Sequence, residues 1–213
     1  MNSSHAVQIL PPEWFTLPTC VVASDMVGKL LCRTMSDADG NLYTVKIRVV
    51  ETEAYIGLDD PACHTHAGTR TKRTEVMYEA GGIFYIYLTY GVHHMLNVVT
   101  NHAESPESVL IRAGFFDECI ASNAILQNNQ PELVASMTHH KNLAGPGKLT
   151  NRLNITRDLN QLPVAPDTGL WFEDDGCSPP VQLRPRIGID YAGNAKDWLL
   201  RYVWAGHKSL SKL

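Results

Sequence analysis

The chain has 213 residues, 44% of them hydrophobic and 19% charged, which are values typical of a folded globular protein and exclude a disordered or fibrous chain. Eighteen Lys and Arg against 22 Asp and Glu leave a formal charge of −4, which argues weakly against polyanionic partners. No apolar run reaches the roughly 20 residues of a membrane helix, and the five cysteines form no CxxC pair, so we expect an intracellular protein with reduced thiols and no membrane segment.

The first part of the chain predicts a short helix, a strand and a tight turn. The helix covers 19–27 and the strand covers 29–34. In the turn over 37–41, Gly40 is free to adopt positive φ. The segment 43–55 alternates and is rich in β-branched residues, so it predicts a long strand.

Further along, two strand-like runs over 83–90 and 92–100 predict a hairpin with an aromatic residue at its tip. The remaining predicted elements are a strand over 108–113, helices over 115–130 and 131–137, a helix that begins after Gly145, and strands over 170–172 and 181–189. Strands dominate, and no linker divides the chain. The prediction is therefore an α+β fold with a largely antiparallel β core and surrounding helices, in a single domain over 1–213.

The end of the long strand carries Glu51, Glu53 and Tyr55, which share a face because residues two apart on a strand point to the same side. Two carboxylates beside an aromatic ring suit a general base with a stacking partner. The segment 51–55 alone favours a solvent-facing edge, whereas the apolar residues before it favour a strand that leads into a core. Both interpretations stay open from this segment.

Arg112 is the only charged residue in the apolar run 108–116. A guanidinium in such a strand is seldom buried without a partner. Glu53 is a natural partner, and the pair would keep that carboxylate ionised at neutral pH. The alternative is an edge-strand arginine in contact with water.

The predicted hairpin is rich in tyrosine. Tyr85 and Tyr87 would share one strand face, where core residues usually lie. Tyr90 is followed by Gly91, and a bulky side chain at such a turn tends to project. Projecting aromatic residues near basic ones can stack on bases or wedge between them.

Basic residues concentrate in two places, residues 64–73 and residues 184–213, in spite of the acidic balance. Residues 64–73 include Arg70, Lys72 and Arg73 and no acid. The start of the predicted helix at Gly145 combines backbone amides with Lys148, which suits a phosphate. A solvated charged surface and a plain loop-to-helix junction are the alternatives.

The segment Cys63-His64-Thr65-His66 invites a metal, because a thiolate and imidazoles lie close together. No further Cys/His pair stands at a useful spacing. We therefore predict no metal site.

Taken in order, these blocks resemble the alkyladenine (3-methyladenine) DNA glycosylase family. The matching segments are VETEAYIGLDDPACH (50–64), TRTKR (69–73), YIYLTYGVHHMLNVV (85–99), VLIRA (109–113), AGPGKL (144–149) and PRIGI (185–189). They extend from about Leu30 to the C-terminus, and their combination is highly specific.

The resemblance implies a role for each matched position. Glu53 matches the carboxylate that activates water, and Arg112 matches the arginine that helps to hold that water and the carboxylate. Tyr90 matches the aromatic residue that enters the duplex where a base has left. The residues that match base-contacting positions are Tyr55, His64, Tyr87 and Asn97, the last of which helps to reject undamaged guanine.

Phosphate contacts are expected from Arg70, Lys72, Arg73 and Lys148. Glu75 departs from the family pattern, which leads us to expect a basic or small residue there, and an acid at this position opposes contact with phosphates.

The implied activity is that of a monofunctional DNA glycosylase that flips alkylated or deaminated purines and hydrolyses the N-glycosidic bond with a Glu-activated water. Candidate lesions are 3-methyladenine, 7-methylguanine, hypoxanthine and etheno-adenine. The resemblance implies damaged double-stranded DNA as the partner and no metal or organic cofactor. We expect a monomer, located with the bacterial nucleoid or in a eukaryotic nucleus. The alternatives are a non-catalytic nucleic-acid binding module, which would not need Glu53, and a hydrolase of free nucleosides, which would ignore duplexes.

Overall fold

The computed structural model describes residues 6–116 and 143–211. The described strands are β1 (Gln8–Ile9), β2 (Leu30–Ser36), β3 (Leu42–Tyr55), β4 (Phe84–Thr89), β5 (His93–Thr100), β6 (Glu107–Phe116), β7 (Leu143–Ala144), β8 (Leu170–Asp174), β9 (Val181–Arg184) and β10 (Arg201–Trp204). Two α-helices accompany them in the described ranges, α1 (Thr19–Asp25) and α2 (Pro146–Arg152), together with short 3-10 turns.

All of these strands pair in an antiparallel manner in one sheet. The main order is β1-β8-β2-β3-β6-β5-β4, while β10 pairs with β3 and β9, and β7 pairs with β6. The predicted α+β class with an antiparallel core is confirmed. Within 6–116 and 143–211, no helix is long and apolar enough to cross a membrane.

The two faces of β4, β5 and β6 have opposite characters, as the alternation in their sequences requires. One face packs on the hydrophobic core through Phe84, Ile86, Leu96, Val98, Val109 and Ile111. The other face borders a cavity through Tyr85, Tyr87, Met95, Asn97, Ser108, Leu110 and Arg112. Each fully buried apolar side chain contributes roughly 1.5–3 kcal/mol, so the core face fixes the sheet and holds the polar face in place.

Strand β3 contains a β-bulge that exchanges its two faces. Val49 pairs with Gly114 and Glu51 pairs with Ala113, which leaves Val50 as an extra residue of β3. Thr52 then pairs with Ile111, which leaves Arg112 as an extra residue of β6. Before the bulge the odd-numbered residues Val45, Ile47 and Val49 belong to the core.

After the bulge the even-numbered residues of β3 face the core. Ala54 belongs to the core, and the Thr52 hydroxyl donates to the Ala23 carbonyl of α1 at 2.6 Å. Because alternation has a period of two, Glu51 and Glu53 now lie on the side opposite the core. The bulge is also where β3 changes neighbours, from β2 to β10.

Most predicted elements agree with the structure, with two exceptions. The strand predicted over 181–189 ends at Arg184, because Pro185 cannot donate a ladder hydrogen bond and Gly188 has a φ of +78°. The helix predicted over 115–130 begins inside β6, which continues through Phe116. The rest of that helix and the one over 131–137 lie outside the described residues.

Candidate active site

A cavity of about 560 Å³ opens on the face of the sheet opposite the core. Its volume lies within the range of about 300–1,000 Å³ that is common for small-molecule sites. Tyr55, Tyr85 and Tyr87 contribute aromatic walls from β3 and β4, and two loops close the sides near His64 and Ile189. The cavity is therefore suited to a flat, mostly apolar ligand with a few polar contacts.

Glu53 lies immediately behind the wall of this cavity and is fully buried. Its Oε2 accepts hydrogen bonds from the Tyr55 hydroxyl at 2.9 Å and from Nη1 of Arg112 at 3.1 Å. Its Oε1 accepts one from the backbone N–H of Ile187 at 2.8 Å. All three donor residues line the cavity, so the carboxylate is held against the cavity by its own hydrogen bonds.

Two expectations from the sequence are settled by this arrangement. The predicted pairing of Arg112 with Glu53 is confirmed. The interpretation of 51–55 as a solvent-facing edge is wrong, because Glu51 and Glu53 are both fully buried. The reason is that β10 covers this part of β3, pairing Arg201 with Glu53.

Tyr55 is fixed from both sides. Burial and the neighbouring charge of Glu53 raise the pKa of its hydroxyl well above the ordinary value, so the hydroxyl stays protonated and donates a hydrogen bond to the carboxylate. The guanidinium of Arg186 lies over the ring, 4.8 Å from its centroid. Asp60 pairs with Arg186 and also accepts from the backbone N–H of Ala62, which ties the loop before His64 to the Tyr55 wall.

His64, Tyr85 and Tyr87 form the aromatic side of the cavity. The His64 and Tyr87 rings lie 4.7 Å apart, and the Tyr85 and Tyr87 rings lie 5.3 Å apart. Nδ1 of His64 shares a hydrogen bond of 2.8 Å with the Tyr85 hydroxyl. Burial and the nearby charge of Arg73 lower the pKa of His64 to about 4, so the ring is neutral at neutral pH. Burial raises the pKa of Tyr87 to about 12.

Asn97 lies on the floor of the cavity in β5 and is buried. Its Nδ2 donates to the backbone carbonyls of Tyr85 at 3.1 Å and Met95 at 3.3 Å. These bonds fix the orientation of the amide relative to whatever enters the cavity.

Tyr90 projects from the tip of the β4–β5 hairpin and is 94% exposed. The backbone N–H of Val92 donates to the Thr89 carbonyl, and the two central residues have positive φ, +50° for Tyr90 and +68° for Gly91. Two-residue turns with positive φ at both central positions match the twist of a hairpin and favour Asn-Gly at those positions. A tyrosine there is strained by roughly 1–2 kcal/mol, and the ring lies at the mouth of the cavity.

The four basic residues predicted to contact phosphates lie in different surroundings. Arg73 lines the cavity, whereas Lys72 and Lys148 are exposed outside it. Arg70 is paired with Glu75 at 2.8 Å and with Glu104 at 2.9 Å. Its guanidinium also lies 4.1 Å from the centroid of the Tyr78 ring. The acid at position 75 thus pairs directly with Arg70, a contact that the sequence analysis did not predict.

Sequence reasoning missed several residues of the site. Asp60 and Arg186 are far apart in sequence, and no local pattern links them. Tyr191 lines the mouth, is 70% exposed, and donates from its hydroxyl to the Ala62 carbonyl at 3.3 Å. Its position next to the matched segment 185–189 was the signal that could have found it. In the described parts of the chain, no group of three or more His, Cys, Asp or Glu could hold a metal ion.

The chain is similar to known proteins over most of its length. Residues 13–208 match the family model described as "Methylpurine-DNA glycosylase (MPG)". A protein of Psychrobacter cryohalolentis is 58% identical over the full length of both chains. Proteins of Methanocella arvoryzae and Bdellovibrio bacteriovorus are 40% and 38% identical, covering 87% and 96% of this chain and 86% and 99% of their own. All three carry the name "Putative 3-methyladenine DNA glycosylase".

Proposed function

The chain belongs to the methylpurine-DNA glycosylase family, and from this we propose that it is a DNA-3-methyladenine glycosylase acting in base excision repair. It removes alkylated or deaminated purines from duplex DNA by hydrolysis, without cleaving the strand. The observation that supports this most directly is the buried Glu53–Arg112 pair immediately behind an aromatic cavity large enough for one base.

The first step is extrusion of the damaged nucleotide. The sugar carbon of a stacked base is inaccessible, so the enzyme must flip the nucleotide out at a cost of a few kcal/mol. Tyr90 fills the gap left in the duplex, because its exposed ring stands at the mouth of the cavity. Arg73, Lys72 and Lys148 hold the phosphates, and Arg70 joins them when it leaves its carboxylate partners.

The second step is recognition of the base. Tyr55, His64 and Tyr87 stack against it or contact its edge, and each base–aromatic contact is worth roughly 1–3 kcal/mol. A base alkylated on a ring nitrogen is cationic in the nucleoside and gains a further cation–π attraction. Because His64 is neutral at physiological pH, it adds no repulsion toward that cation. Asn97 crowds the exocyclic amine of guanine and helps to reject the undamaged base.

The third step is hydrolysis. Glu53 takes a proton from a water, the water oxygen bonds to C1′, and the C1′–N bond breaks with its electron pair leaving on the base. The carboxylate also stabilises the positive charge that develops on the sugar. Arg112 holds the carboxylate and the water in place. Alkylation makes the base a good leaving group, and the reaction requires no metal or organic cofactor.

The whole chain acts as one glycosylase domain and as a monomer, since one cavity with one projecting tyrosine is sufficient to process one lesion. The full-length match to a bacterial protein favours a bacterial source, and chromosomal DNA would then place the enzyme at the nucleoid.

The decisive experiment is Glu53→Gln, assayed by release of free base from duplexes that each carry one lesion. We expect the release rate to fall by at least about 100-fold, which is the low end of what a general base contributes, while duplex affinity is retained. Glu173→Gln is a matched control, because Glu173 is also buried in the sheet but pairs with Lys46. Unchanged release by Glu53→Gln would refute the role of Glu53.

The same assay separates the two alternatives. A non-catalytic binding module would bind the duplexes and release no base even as the wild-type protein. A hydrolase of free nucleosides would cleave nucleosides and leave lesion-bearing duplexes intact.

A further inference from the structure

Glu51 is a second fully buried carboxylate on the same strand face as Glu53, and the hydrolysis step leaves it without a role. Its Oε1 accepts a hydrogen bond from Nη1 of Arg201 at 3.1 Å and lies 3.5 Å from Nε of Arg112. Its Oε2 accepts from the backbone N–H of Ser211 at 2.6 Å. Both oxygens are therefore engaged, and one of the partners is the arginine that holds Glu53.

We propose that Glu51 is a positioning residue that acts through Arg112, aiming the guanidinium at Glu53 and setting the pH range in which Glu53 accepts a proton. This inference rests on the proposed glycosylase function. The guanidinium of Arg112 spans the two carboxylates, with Nε toward Glu51 and Nη1 toward Glu53. Nε of Arg112 has no hydrogen-bond partner among the described residues. The charge of Glu51 therefore orients the Nε side of the guanidinium.

The surroundings of Glu51 fit this role better than a purely structural one. A buried ion pair seldom stabilises a fold more than apolar side chains of the same volume. This carboxylate is nevertheless buried with two arginines, two residues from Glu53, after a bulge that turns both away from the core. The C-terminal segment contributes to the same cluster, because the backbone N–H of Ser211 donates a hydrogen bond to Glu51.

The charged and titratable groups around the two carboxylates come from every neighbouring element. They are Arg112 on β6, Arg201 on β10, Arg186 before the 187–191 loop with its partner Asp60, Tyr55 on β3 and Tyr87 on β4. Removing the charge of Glu51 leaves the arginines less neutralised, so the carboxylate of Glu53 is stabilised and becomes a weaker base. Removing the charge of Arg201 has the opposite effect.

The test is the pH–rate profile of base release under single-turnover conditions, with the neutral lesion that the wild-type protein releases fastest. For Glu51→Gln we expect the plateau rate to fall about tenfold and the acid limb to move about one pH unit lower, with unchanged duplex affinity. For Arg201→Gln we expect the acid limb to move higher, and this opposite shift tests the inference even if Glu51→Gln does not fold.

Asp175→Asn is the matched control. Asp175 pairs with Arg48 through two hydrogen bonds, and neither residue lines the cavity. This variant should lose stability without moving the acid limb. An unmoved limb in folded Glu51→Gln, or shifts of the same sign in Glu51→Gln and Arg201→Gln, would overturn the inference. A wild-type protein that releases no base from any lesion would instead overturn the proposed function itself.

Discussion

Replacement of Tyr90 by alanine should abolish most activity on duplex DNA while leaving the fold intact. The side chain is 94% exposed, so its loss removes almost no buried apolar surface. Alanine keeps the strain of the positive φ, and we expect the free energy of unfolding to change by no more than about 0.5 kcal/mol. In the role that we propose for Tyr90, the ring would contribute stacking of roughly 1–3 kcal/mol in the complex with DNA. Since about 1.4 kcal/mol is a factor of ten, the flipped population should fall about 5- to 150-fold.

The assay compares single-turnover base release from a duplex and from the same lesion in a single strand, where no partner strand must be opened. For Tyr90→Ala, the rate of base release should fall on the duplex and change little on the single strand. For Tyr90→Trp, the rate should be retained on both substrates. Tyr90→Gly should be as inactive as alanine and more stable, because glycine relieves the strained φ. A duplex rate within twofold of wild type, or equal losses on both substrates, would refute the assignment of Tyr90 as the wedge.

Three further outcomes follow from contacts in the structure. Glu75→Gln should loosen Arg70 from its ion pair, raising duplex affinity and steepening its salt dependence by up to about one ion, and an unchanged slope in anisotropy titrations would contradict this. The low pKa of His64, about 4 against an ordinary 6.5, means that the unfolded chain binds the extra proton between these values. Stability is therefore lost as the pH falls through this window, and urea unfolding should show a smaller loss from pH 7 to pH 5 for His64→Gln. Gly114→Ala should cost about 1–3 kcal/mol, because its Cβ would lie 2.8 Å from the Arg48 carbonyl oxygen, and a loss under about 0.5 kcal/mol by chemical denaturation would be inconsistent with that contact.

The parts of this site that sequence could predict are those governed by local alternation. Tyr85 and Tyr87 are two residues apart on one strand, and this spacing predicts that their side chains lie on the same face. The single charge in the apolar run 108–116 identified Arg112 as a residue in need of a partner, and Glu53 is that partner. The turn at Tyr90 and Gly91 predicted a projecting ring, which the exposure of Tyr90 bears out.

The parts that sequence could not predict depend on pairing between distant segments. The burial of Glu51 follows from β10, whose register with β3 no local pattern encodes. Asp60 and Arg186 form a buried ion pair across 126 positions of the sequence. The pairing of Arg70 with Glu104 likewise joins two loops that are far apart in the sequence.

Val50 is the unpaired residue of β3, opposite the unpaired Arg112 of β6, so the number of residues at this point matters as much as their chemistry. A strand carries one kind of side chain inward and another outward, and Val50 is where this enzyme reverses the two. Excising it by an in-frame codon deletion would send both carboxylates into hydrocarbon and bring Thr52 and Ala54 to the cavity in their place. Position 50 matters because a residue is present there, and another β-branched residue could take the place of Val50. A strand shortened by one residue could not reverse its faces in this way.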